Sequence, residues 1–139
     1  MIAIPESCQI AIHTLALLAE TPGSRVPCAR VAEACHISSN HLAKVVARLA
    51  RAGIAGSQRG PGGGVTLLLD PKKTTLAMVW DAVEGRATPR KGCLLPAAAC
   101  PGRRCVLGRF LYEKEAEIRR VLQTTTLADI VRPTPKKRK

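Results

Sequence analysis

Three cysteines stand close together in the second half of the chain: Cys93, Cys100 and Cys105, in the pattern Cys-x6-Cys-x4-Cys. A thiolate is a nucleophile and a soft metal ligand, so three on one segment form a candidate metal or redox site. Zinc ribbons use paired Cys-x2-Cys knuckles, which this chain lacks. From Arg86 to Arg109 there are six basic residues and no acidic one. That charge, with Arg90, Lys91, Arg103 and Arg104 among the thiols, favours thiolate forms and suits an anionic iron–sulfur cluster better than zinc. Sensing by free thiols without a metal is the main alternative. Cys28 and Cys35 lie far from this group and read as structural. His36 and His41 show no ligand spacing with the other candidates.

The second chemistry is recognition of a polyanion. His41, Lys44, Arg48 and Arg51 are spaced 3, 4 and 3 residues apart, which places them on one side of a helix as a basic stripe. Just downstream, Arg59-Gly60-Pro61-Gly62-Gly63-Gly64 joins a cation to a run of glycines. An arginine enters a narrow minor groove well, and glycines let backbone approach phosphate. The net charge of +12, from 22 basic and 10 acidic residues, points the same way. Aromatic residues are only 2% of the chain, which argues against single-strand stacking but not against groove binding. The glycine run lacks the Gly-x-x-x-x-Gly-Lys-Ser/Thr pattern of a phosphate-cradling nucleotide site.

These residues need elements to position them. Leu42, Val45, Val46 and Leu49 at i, i+3, i+4 and i+7 predict a helix from a Ser38 cap to about Ala52, ended by Gly53. A shorter helix over Pro27 to Ala34 precedes it across a turn at Cys35-His36-Ile37. Together they form a helix-turn-helix, whose second helix enters the major groove. Ser38 and Ser39 open that helix; Ser39, Asn40, His41 and Lys44 are placed to meet base edges, and Arg48 and Arg51 phosphates. The strands on either side of the glycines make a hairpin wing carrying Arg59, Gly60, Pro61 and Gly62. A first helix spans Pro5 to Glu20, a fourth runs from a Thr74 or Thr75 cap to Gly85, and a fifth runs from Val106 to about Gln123. The stripe Leu107, Leu111, Ile118, Val121 and Leu122 on the fifth needs a partner, and a second copy of the chain is the economical one.

The expected fold is mainly α with a small β-wing: a winged helix-turn-helix domain plus a long dimerisation helix. Residues 1–84 form the DNA-binding domain, 85–105 the cysteine segment, 106–131 the dimerisation helix and a closing turn, and 132–139 a basic tail. No signal peptide is apparent and no apolar run reaches membrane length, so a cytoplasmic protein with reduced cysteines and no membrane partner is expected. An enzyme is not expected: a thiol oxidoreductase would want Cys-x-x-Cys, and no hydrolase motif is present.

The segments Val26-Pro27, Ile37-Ser38, the wing motif and Thr126-Leu127-Ala128-Asp129-Ile130-Val131 resemble the IscR/NsrR-type winged-helix regulators of bacteria. The resemblance covers about Pro5 to Val131. It implies a homodimeric transcription regulator, a repressor by expectation, on a near-palindromic double-stranded DNA operator. It also implies a 2Fe–2S or 4Fe–4S cluster held by Cys93, Cys100 and Cys105. Some relatives take a fourth ligand from a histidine three residues past the last cysteine, which is Gly108 here. Others use an acidic residue near the start of the first helix, from the other subunit. Cys8 matches that position, with Glu6 and His13 as weaker candidates. Some members carry an acidic residue that tunes base preference where this chain has Ala43, so operator sequence does not carry over.

Overall fold

The helix α1 (Glu6–Glu20) is the hub of the molecule, and the reason is its composition. Cys8, Ile10, Ala11, Leu15, Leu18 and Ala19 occupy more than one side of it, so it buries more than a single stripe. Around it pack α3, α4, α6 and the strand β2. The structure is a computed structural model and describes residues 4–86 and 105–131.

Chain order is α1, α2 (Cys28–Ala34), α3 (Ser39–Arg51), β1 (Ala55–Gln58), β2 (Gly64–Leu67), α4 (Leu76–Glu84), α5 (Val106–Thr124) and α6 (Leu127–Ile130). The strands pair antiparallel, with Ala55 opposite Leu67 and Gln58 opposite Gly64. A helical fold with a two-stranded wing is therefore what the chain adopts. Leu15, Leu18, Leu42, Leu49 and Leu127 are almost fully buried in one core. Each such side chain contributes roughly 1.5–3 kcal/mol of transfer free energy.

Local signals set the boundaries. The Ser38 hydroxyl accepts from the His41 amide at 3.2 Å, satisfying one orphan donor of α3. Thr75 caps α4 by accepting from Met78 N at 3.3 Å, and Gly85, at φ 82°, ends it. Thr126 and Asp129 form a reciprocal capping box on α6. Its two hydrogen bonds hold the Asp129 carboxyl below the usual range. Backbone bonds from Leu76 N to Thr125 O and Leu127 N to Thr74 O, both 2.9 Å, clamp the start of α6 to the start of α4.

Helix α5 differs from the others. Gly108 is its only buried residue. It packs against α4, where Arg119 and Leu122 lie beside Trp80, and Arg119 makes a bidentate ion pair with Asp81 at 2.7 and 2.6 Å. Leu107, Phe110, Ile118 and Val121 are exposed, the first three by 57%, 50% and 38%. That apolar row shares one face of α5 and is exposed among the described residues.

Candidate nucleic-acid interface and cysteine site

The amphipathic pattern of α3 decides which residues meet solvent. Leu42, Val45, Val46 and Leu49 point into the core. Ser39, Asn40, His41, Ala43, Lys44, Ala47, Arg48 and Arg51 are therefore left on the outside. Among the described residues, Lys44, Arg51 and Arg59 form no ion pair, so their charges are available to an external anion. The wing stands next to this face. Pro27, Cys28, Ala43, Ala47, Gln58, Arg59 and Gly60 line a groove of about 410 Å³ between α3 and the hairpin. Small side chains at Ala43 and Ala47 are what keep it open.

The wing owes its position to glycine. Val26 and Val65 exchange backbone hydrogen bonds at 2.9 and 2.8 Å, pinning β2 to the residue before the α2 cap. Gly64, at φ 151°, lies so close that an added Cβ would stand 2.3 Å from the Val26 carbonyl oxygen. Gly60 and Gly62, at φ 91° and 72°, form the tip and leave Arg59 and Pro61 exposed.

His41, Lys44, Arg48 and Arg51 are all exposed on α3, and two of them also touch protein. His41 leans towards α1, its Nδ1 3.9 Å from Glu6 Oε1. Arg48 donates from Nη1 to the Val83 carbonyl at 2.7 Å, near the end of α4. Spacing alone gave no sign of either contact, because both partners lie far away in sequence. Sequence reasoning also passed over Cys28, which is exposed in the wing groove rather than packed in the interior. Its place at the start of the first helix of the motif was the available signal. Cys35 is half-buried as expected, and burial raises its thiol pKa.

Of the loop cysteines, Cys93 and Cys100 lie outside the described residues. Cys105 caps α5, its sulfur accepting from Gly108 N at 3.3 Å. Cys105 is a free, half-buried cysteine whose soft sulfur fits a metal ligand. Cys8 does not fit. It is wholly buried in its own protomer's core, and burial, with the Glu84 carboxylate nearby, pushes its pKa up to about 12. With its sulfur turned into its own protomer's core, Cys8 would reach a cluster shared across a dimer interface only after a shift of α1. Glu6 and His13 are both exposed, and His13 lines a shallow cleft with Glu20 and Cys35. Among the described residues, no three His, Cys, Asp or Glu side chains gather as a metal site.

A helix-turn-helix with an adjoining basic wing defines a winged-helix DNA-binding protein. The chain belongs to the Rrf2 family, described as "Iron-dependent Transcriptional regulator", whose model matches residues 4–133. It is 38% identical over 73 residues to the putative HTH-type transcriptional regulator BadM of Rhodopseudomonas palustris, covering 52% of this chain and 47% of that protein. It is 32% identical over 123 residues to the HTH-type transcriptional regulator NsrR of Bacillus subtilis, covering 84% and 80%. Among solved structures it resembles CymR (YrzC), the global cysteine regulator of B. subtilis. The TM-score is 0.77 at 22% identity, over 94% of this chain and 97% of that one. The chain thus spans about half of BadM and most of NsrR. Among the described residues, no helix is long and apolar enough to cross a membrane.

Proposed function

We propose that this Rrf2-family regulator is a homodimeric repressor that binds a double-stranded DNA operator under control of its cysteine segment. The observation that carries the reading is the continuity of one basic face: Ser39, Asn40, Lys44 and Arg51 on α3, then Arg59, Gly60, Pro61 and Gly62 on the wing. The first group suits major-groove edges and the second the adjacent minor groove. Residues 1–84 act as the reader, 85–105 as the sensor and 106–131 as the pairing element. The exposed row Leu107, Phe110, Ile118 and Val121 supports pairing with a second copy, since an apolar face of this length is rarely left in water.

The sensor in this reading is an iron–sulfur cluster held by Cys93, Cys100 and Cys105. It would supply a redox- or nitric-oxide-labile group whose loss changes the loop. Support comes from the Cys-x6-Cys-x4-Cys spacing, the acid-free basic surroundings and the capping position of Cys105. One observation favours a second reading, a cluster-free thiol switch: Cys8, the cysteine candidate for a fourth ligand, is withdrawn into the core. Iron and acid-labile sulfide content of protein purified without oxygen separates the two. Cys93→Ala, Cys100→Ala and Cys105→Ala should each abolish the visible absorption. Equal iron in wild type and variants would refute the cluster.

A further inference from the structure

Helix α4 receives three ties within four consecutive residues. Arg119 of α5 grips Asp81 through both carboxylate oxygens. Arg48 of α3 donates to the Val83 carbonyl at 2.7 Å. Ser7 of α1 donates to Glu84. Gly85 follows at once, and with it the segment that carries Cys93 and Cys100. The end of α4 is thus fastened to the reading helix on one side and to the Cys105-capped helix on the other.

We propose that Arg48 is a positioning residue that ties the reading helix to the end of α4, not a phosphate contact. The geometry supports this over the reading from spacing. On α3, Lys44 and Arg51 lie opposite the buried residues, whereas Arg48 lies on the flank that faces α4. One of its two terminal nitrogens is already committed to a carbonyl near a helix C-terminus, an anchor that the local dipole strengthens. A movement of α4 would reach α3 through this bond as well as through the direct packing of the two helices. The inference rests on the DNA-binding reading given above.

The test compares Arg48→Met, Arg48→Lys and Lys44→Gln with wild type, on a duplex selected from random sequence. Affinity is measured across a salt series, and amide hydrogen exchange over Asp81 to Gly85 with and without DNA. Lys44→Gln should reduce the slope of log K against log salt by up to about 0.9, since a cation lost from the groove-facing side leaves one phosphate charge fewer neutralised. Arg48→Met should leave the slope unchanged. DNA should slow exchange at the end of α4 in wild type and in Arg48→Lys, which keeps a donor, but not in Arg48→Met. A slope loss of about 0.9 in Arg48→Met overturns the proposal. So does DNA-induced protection that survives in Arg48→Met, or is absent from wild type. Should Lys44→Gln leave the slope unchanged, the assigned DNA face is wrong, and the exchange measurement alone decides the tie.

Discussion

Replacing Gly64 by alanine should damage the protein far more than replacing Gly62, although both are wing glycines of positive φ. At Gly62, φ is 72° and an added Cβ meets nothing within 4 Å. The cost there is the left-handed backbone alone, about 1–2 kcal/mol. At Gly64, φ is 151° and the Cβ would stand 2.3 Å from Val26 O and 2.7 Å from Val26 C. Ordinary contact begins near 3.4 Å, so the wing would have to withdraw. That withdrawal breaks the two Val26–Val65 hydrogen bonds, at 2.9 and 2.8 Å. Each bond is worth roughly 0.5–1.5 kcal/mol, and the backbone strain adds about 1–3. Gly64→Ala should therefore lose about 4 kcal/mol, a large share of a typical total of roughly 5–15. Urea unfolding followed by circular dichroism reads both variants directly. A Gly64→Ala midpoint matching that of Gly62→Ala, with equal m-values, would refute the claim that close backbone approach fixes the wing.

Other consequences follow from the same geometry. Asp81→Asn removes the charge from a bidentate pair whose side chains are each 24% exposed, and should cost about 2 kcal/mol in thermal unfolding; an unchanged midpoint would show that α5 is held to α4 by apolar contact alone. Arg59→Gln should weaken duplex binding and lower the salt slope by about 0.9 while leaving the melting temperature unaltered. The Cys8 thiol should resist maleimide in the folded protein, whereas exposed Cys28 should label quickly; mass mapping of the labelled peptides reads both. Because the Cys8 pKa is raised from 9.0 to about 12, its contribution to stability is complete below pH 9 and is lost as pH rises towards 12. Cys8→Ala should flatten that alkaline decline, and an equally steep decline in the variant would place the titrating group elsewhere.

Much of the fold was legible because its signals are local. The i, i+3, i+4, i+7 stripe of Leu42, Val45, Val46 and Leu49, the Ser38 cap and the terminating Gly53 and Gly85 all act within a few residues. The wing was legible for the same reason. The hidden features depend on tertiary contact. Whether Arg48 faces DNA or protein turns on a carbonyl 35 residues away. Whether Cys8 is a ligand or a core residue turns on how many neighbours surround α1, and a buried sulfur looks the same in sequence as a ligating one. The role of Gly64 was visible only as membership of a glycine run; its contact with Val26 O distinguishes it from Gly62.

Selection of duplexes from a random library by the purified 139-residue protein is the direct test of DNA reading by α3 and the wing. One motif with two-fold related half-sites, one for each reading helix of a dimer, should be enriched. Lys44→Gln and Arg59→Gln should bind the selected duplex more weakly and with a shallower salt slope. Failure to enrich any sequence, or binding by both variants that is indistinguishable from wild type, would contradict a DNA reader built from α3 and the wing.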